Sequence, residues 1–228
     1  MSDIKSRSEK KNFKTLLSIF LSKNRVFFLV LIVVILVLLA GTGIYTSVYQ
    51  NKIEKSAVAA EELQKLFEEW SAAPEEEKAE KESQILRNAE DAIESFGSMY
   101  AAQRARMVLG GLYYEKEEWD AAVEEYDALA DSFPRSYLAP IALMSAAVAN
   151  EQAGRPDDAI SAYQRVREAY SETFPDVAYA LFSIGRLYEK TGKNDAALEA
   201  YNEVVDNFSA SSWTNLAQDR IIYLEAVN

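Results

Sequence analysis

Ala122-Val123-Glu124-Glu125-Tyr126 returns thirty-seven residues later as Ala159-Ile160-Ser161-Ala162-Tyr163, and thirty-eight residues after that as Ala197-Leu198-Glu199-Ala200-Tyr201. In each copy an alanine precedes a tyrosine by four, a spacing that puts both on one face of a helix, one turn apart. A fixed period of this size marks a solenoid of stacked helix pairs, in which each unit buries its apolar face against the next. The expected fold is all-α.

Around these anchors the first unit reads Leu109, Gly110, Tyr113, Ala122, Tyr126, Leu129 and Pro134, and the third reads Ile184, Gly185, Tyr188, Ala197, Tyr201 and Val204. The second departs from them, with Ala147 at the Gly position, Asn150 at the first Tyr position and the proline displaced to Pro175. Small residues at 110, 147 and 185, and at 122, 159 and 197, let the two backbones of a pair approach, and Tyr126, Tyr163 and Tyr201 fill the space between successive pairs. Gly154 and Gly192 suit left-handed helix ends, Pro156 a first turn and Asn194 a cap. Seven helices are expected, over about Tyr100–Glu115, Glu118–Ser132, Ala139–Gln152, Pro156–Tyr170, Asp176–Lys190, Asn194–Asn207 and Ser212–Ala226. The repeats then cover about 100–137, 138–174 and 175–211, with a capping helix over 212–228 that starts at Ser211 or Ser212. A worn copy precedes them, since Phe96-Gly97-Ser98-Met99-Tyr100 lies thirty-seven residues before Phe133-Pro134-Arg135-Ser136-Tyr137.

Upstream, Val26 to Tyr49 contains no charged residue, and Val26 to Ala40 is apolar throughout. Roughly twenty helical residues cross a hydrocarbon core of about 30 Å, so 26–49 reads as a transmembrane helix. A cleaved signal peptide competes with this reading, because Ala40, Gly41 and Gly43 would suit a peptidase, although the segment before the run is long for such a peptide. With no cysteine in the chain, a lipidated anchor is excluded. The arm 1–25 carries seven basic and two acidic residues, a net +5, whereas the remainder carries 17 basic and 34 acidic residues, a net −17. By the positive-inside bias the N-terminus is cytoplasmic and the acidic domain is translocated.

Met1 to Asn12 has no periodicity and reads as disordered. Phe13, Leu16, Leu17, Phe20 and Leu21 recur at helical spacing, as in a short amphipathic turn at the headgroups. Beyond the span, residues 50–99 read as membrane-proximal helices with the degenerate repeat. One, Asn51–Ala72, rises from the membrane, Pro74 and the run Glu75-Glu76-Glu77 break or restart it, and a second covers about Glu80–Phe96.

The chain contains neither histidine nor cysteine. This removes disulfides, imidazole or thiolate metal sites, and Ser-His or Cys-His catalysis, leaving only carboxylate, Lys or Tyr chemistry. The acidic pairs Asp157-Asp158 and Glu124-Glu125 lie on exposed helix faces and lack the alternating oxygen ligands of a calcium loop. A domain of net −17 repels nucleic acid and anionic headgroups. No catalytic, metal or cofactor residue is expected, and no small-molecule substrate.

The positions quoted for the repeats resemble the tetratricopeptide repeat: Leu-Gly, a Tyr three residues later, an Ala in the second helix, an aromatic four beyond it and a closing Pro. The resemblance implies a helix-turn-helix solenoid whose first helices line an inner, concave surface. Periodicity places Arg104, Met107, Gly111 and Tyr114 on that face, then Ile141, Met144, Val148 and Glu151, then Tyr179, Phe182, Arg186 and Glu189. Met and aromatic side chains on a groove suit adaptable binding of apolar segments. The competing reading packs several of them beneath the capping helix or the membrane-proximal helices. Some tetratricopeptide co-chaperones clamp a C-terminal carboxylate with Lys, Asn and Arg, but here those slots hold Met107, Gly111, Ser145, Tyr179 and Ser183, and that activity is not carried over.

One span, a cytoplasmic N-terminus and a translocated acidic repeat domain also resemble the bacterial YfgM family, an ancillary component associated with the SecYEG translocon and periplasmic chaperones, and the resemblance implies a bacterial inner-membrane protein with a periplasmic C-terminal domain. The link sequences are similar to those of the outer-membrane assembly protein BamD and the Tol-Pal coordinator CpoB. Three function classes follow: a translocon-associated partner of chaperones and secreted chains, a scaffold of a dedicated envelope complex, and an enzyme, for which the sequence offers no constellation.

Two outcomes are expected. An alkaline phosphatase fused at Asn228 is active and a cytoplasmic reporter there is silent; the reverse pattern would overturn the topology. N-terminal sequencing of the purified protein finds Met1 or Ser2, whereas an N-terminus near Ile44 would show that the apolar run is a signal peptide.

Overall fold

A computed structural model of the chain describes residues 14–16 and 18–227. The polar arm to Asn12, Phe13 and Leu17 of the amphipathic turn, and Asn228 lie outside the described residues. All regular structure among the described residues is helical, and the chain divides into two compact units, residues 1–52 and 53–228.

In the first unit residues 14–16 and 18–23 are helical, and helix α1 (Arg25–Ser71) begins after Asn24. From Leu29 to Leu39 every side chain is a large exposed hydrophobic one. An uncovered apolar surface of that extent is not tolerated in water, and α1 is long and apolar enough to cross a membrane. From the sequence, the span is expected to be separate from a following helix over 51–72. The helix instead continues to Ser71, because between Tyr49 and Ser71 there is neither Gly nor Pro and the residues are mostly strong helix formers.

The second unit holds residues 53–71 of α1 and eight further helices: α2 (Glu75–Phe96), α3 (Tyr100–Glu115), α4 (Trp119–Ser132), α5 (Leu138–Gln152), α6 (Pro156–Tyr170), α7 (Val177–Lys190), α8 (Asn194–Asn207) and α9 (Ser212–Val227). Helix α2 starts five residues before the expected Glu80. Glu75, Glu76 and Glu77 form its first turn, where carboxylates are stabilised by the helix dipole.

From α3 onward the helices pair and stack through the residues that define the repeat. Ala122, Ala159 and Ala197 are fully buried, as are Tyr163 and Tyr201, with Tyr126 nearly so. A Cβ added at Gly110 would lie 2.5 Å from Cε1 of Tyr126, and one at Gly185 would lie 2.6 Å from Cε1 of Tyr201. The glycines are there because the tyrosine ring lies against the backbone itself.

Upstream, Ala60, Leu63 and Trp70 of α1 share a core with Ile85, Ala89 and Ala92 of α2 and with Ala101, Ala105 and Leu112 of α3. Buried Ser56 Oγ accepts the Ala101 N–H at 2.9 Å, satisfying one of the amides left unpaired at the start of α3. The links also share a turn: Met99 N–H donates to Phe96 O at 3.0 Å, Ser136 N–H to Phe133 O at 2.8 Å, and Ser211 N–H to Phe208 O at 2.8 Å. The link between α6 and α7 is different. There Thr173 and Phe174 N–H both donate to Tyr170 O, and the longer loop carries Phe174 and Asp176 toward the face of the first helices.

Between the second helices, ion pairs recur at nearly the repeat period: Asp120 with Arg155, Asp127 with Arg165 at 2.6 Å, Asp157 with Lys193 at 3.0 Å, and Arg167 with Glu203 at 2.8 Å. Most of these side chains are well solvated, so each contributes at most about 1 kcal/mol.

Ala197→Trp drives a large ring into a contact built for a methyl group, where overpacking costs about 1 to 3 kcal/mol. Glu199→Trp lies on the exposed side of the same helix. In the full chain in detergent, the first is expected to lower the melting temperature by roughly 2 to 12 °C and the second by under about 2 °C. Equal melting temperatures would mean that the repeat register is wrong.

Candidate protein-interaction groove

The first helix of each pair contributes to one face, on which α3, α5 and α7 lie side by side. A cavity of about 600 Å³ opens there, lined by Tyr114, Tyr126, Ile141, Met144, Ser145, Val148, Phe174, Asp176 and Tyr179. Five of the residues placed on this face by periodicity, Tyr114, Ile141, Met144, Val148 and Tyr179, therefore come together in it. The other seven, Arg104, Met107, Gly111, Glu151, Phe182, Arg186 and Glu189, lie outside.

The groove does not run the length of the repeats, because both of its ends are covered. Phe182 sits between Tyr201 and Trp213, with ring centroids 5.4 and 5.2 Å away, and Trp213 also lies 4.7 Å from the Tyr179 ring. Trp213 belongs to α9, so the capping helix takes the far end of the face. At the near end a Cβ on Gly111 would lie 3.2 Å from Cζ of Phe67, a residue of α1. Met107 packs half-buried on the core. Arg104 is near enough for its charge to act on the Tyr137 hydroxyl.

Arg186 is held in a polar relay. Its guanidinium donates to both oxygens of Glu151 at 2.7 Å, and Glu151 also accepts the Tyr163 hydroxyl at 2.9 Å. The next junction repeats the arrangement: Glu189 accepts the Tyr201 hydroxyl at 3.1 Å and Arg220 Nε at 3.1 Å. Burial, and then the adjacent carboxylate, raise the Tyr163 and Tyr201 phenols, which remain protonated donors at neutral pH. Each relay ties one repeat to the following element through a charge-assisted pair.

At the first junction the same three positions hold Tyr126, Tyr114 and Val148. Tyrosine replaces the carboxylate and valine replaces the arginine, so no relay can form. Burial pushes the Tyr126 phenol up to about 12, and its hydroxyl hydrogen-bonds Ser145. The apolar cavity lies at this junction.

Periodicity alone did not identify Tyr126, Ser145, Phe174 or Asp176 as groove residues. Tyr126 read as a core position, and Phe174 and Asp176 reach the cavity from the one link that departs from the repeat. A signal was present in the sequence: the loss of the Glu and Arg at positions 114 and 148, seen when the repeats are aligned.

The acidic pairs have ordinary roles in charge pairing. Glu125 bonds Arg106 at 2.9 Å, and Asp157 bonds Lys193 at 3.0 Å. Among the described residues no three carboxylates are grouped to hold a metal ion.

Comparison with known proteins agrees with this architecture. The tetratricopeptide repeat-like domain family matches residues 19–225. A TPR repeat-containing protein of Treponema pallidum (strain Nichols) is 29% identical over 210 residues, covering 84% of this chain and 87% of that protein. Since the family match spans the apolar helix and every stacked pair, the chain belongs to the tetratricopeptide repeat-like domain family.

Proposed function

We propose that this protein is a membrane-tethered protein-interaction module of the bacterial cell envelope, which binds apolar segments of partner chains in the cavity between its first and second repeats. The observation that carries this reading is local. Two of the three tyrosine positions are locked into a Tyr–Glu–Arg relay, and the third has exchanged the relay for an apolar, open pocket of a size that takes large side chains. The tyrosine junctions differ where a partner would bind.

The apolar helix and the charge difference between the two ends of the chain support an inner-membrane protein with a cytoplasmic N-terminus and an extracytoplasmic repeat domain. In that setting the module would act beside the Sec translocon, receiving secreted chains or passing them to periplasmic chaperones. The link turns shared by Phe96, Phe133 and Phe208, with their similarity to outer-membrane assembly and Tol-Pal repeats, favour a second reading as a scaffold holding one dedicated complex. No step of catalysis is assigned to it.

A photoreactive amino acid at Met144 of the full chain, in intact membranes, separates these readings. Crosslinks to many unrelated secreted chains support the translocon reading, and one stoichiometric protein supports the scaffold. Met144→Glu with Val148→Glu is expected to abolish capture of whichever partner is identified, while changing the helix content little. Phe182→Glu, by contrast, removes a ring from the Tyr201–Trp213 stack and is expected to lower the melting temperature by several degrees. Partner capture that survives the Met144 and Val148 changes but is lost above about 0.15 M salt would move the site to the acidic outer face.

A further inference from the structure

The groove is polarised by two charges that the fold leaves unused. Asp176 is the one charged residue lining the cavity between the first and second repeats. It occupies the N-cap position of α7 yet makes no capping hydrogen bond, and its carboxylate forms no ion pair among the described residues. A second cavity of about 590 Å³ adjoins the first, sharing Ile141 and Phe174 as a common wall. Prolines 134, 140 and 175 and tyrosines 137 and 170 give it rigid apolar sides, and its one charged lining residue is Arg135. Arg135 is exposed and unpaired among the described residues.

Six arginines of this domain, Arg106, Arg155, Arg165, Arg167, Arg186 and Arg220, each pair with an acid, whereas Arg135, like Arg87 and Arg104, does not among the described residues. With 34 acidic and 17 basic residues beyond the arm, partners for a guanidinium are abundant.

We infer that the groove takes an extended, charge-polarised peptide segment whose apolar side chains enter the two adjoining cavities, with a basic residue against Asp176 and an acidic residue against Arg135. This rests on the groove reading above and adds to it the chemistry and direction of the partner. An extended segment presents every second side chain to the same side, about 7 Å apart, and can follow a wall shared by two cavities. A helix about 10 Å across could not turn from the face of the first helices onto the link. The two charges at the mouth select orientation, as rim charges in interfaces do.

The test uses the full chain in phosphatidylcholine nanodiscs and two fluorescein-labelled peptides of identical composition, Glu-Ser-Phe-Ser-Phe-Ser-Lys and Lys-Ser-Phe-Ser-Phe-Ser-Glu, each flanked by neutral linkers. By anisotropy, one isomer is expected to bind roughly tenfold tighter than the other at low salt, with the preference shrinking at high salt. The double variant Asp176→Asn, Arg135→Gln should lose the preference and still bind both, since neither side chain supports the core. Met144→Glu with Val148→Glu should bind neither. Equal affinity of the wild type for the two isomers, or a preference that persists in the double variant, would overturn the polarity while leaving the groove reading intact. Failure of the wild type to bind either isomer up to about 1 mM would overturn both.

Discussion

The tyrosine at position 126, 163 or 201 can enter the space between two helices only because the residue facing it has almost no side chain. At Gly110 and Gly185 a methyl group would already lie against the ring carbons. Once placed, the ring fixes how far apart the helices of a pair sit and points its hydroxyl at the first helices. The polar relays, Tyr163–Glu151–Arg186 and Tyr201–Glu189–Arg220, then follow from that placement. A buried phenol needs a partner. The repeat supplies a carboxylate, and the carboxylate recruits an arginine from the next unit. Stacking between neighbouring units, which carries the stability of any solenoid, is thus specified by one small residue and one ring.

Much of the fold was legible because several helix ends in the repeat domain are marked by a residue with a local reason to be there. Gly154 and Gly192 have positive φ, and Pro156 and Asn194 open their helices. The misread boundaries lie where such punctuation is missing. Between Tyr49 and Ser71 the composition changes from apolar to charged without a breaker, and the helix continues through the change. At Pro74 the break is real, and the acidic run that follows is itself a good helix start.

The groove was legible as a face but not as a site. Periodicity shows which side of a helix a residue occupies and is silent about what covers that side. Phe182 and Tyr179 lie on the same face, yet the first is enclosed by Tyr201 and Trp213 while the second still lines the cavity. The covering residue belongs to α9, outside the repeating pattern, and Phe67, which covers Gly111, belongs to a helix that begins with the apolar run. Contacts of this kind join parts of the chain that share no period.

The two covered ends explain why the open cavity lies where it does. A solenoid must close its terminal units, since an uncapped repeat would expose the apolar face that stacking normally buries. Here each closing element also extends an aromatic side chain over the face of the first helices, Phe67 from one side and Trp213 from the other. With both ends capped, the apolar cavity of this face lies at the junction between α3 and α5, and a smaller one of about 480 Å³, lined by Phe182, Arg186, Glu189 and Arg220, lies beside the capping helix. A Tyr–Glu–Arg relay at that junction would have filled the space with paired charge and tightened the stack. Its replacement by Tyr114 and Val148 sacrifices an inter-repeat bond worth up to a few kcal/mol. Tyr126, bonded to Ser145 and not to a carboxylate, becomes part of the cavity wall. The domain can bear that loss because the stacks on either side, the α1–α2–α3 core and the two relays, hold the neighbouring units in register.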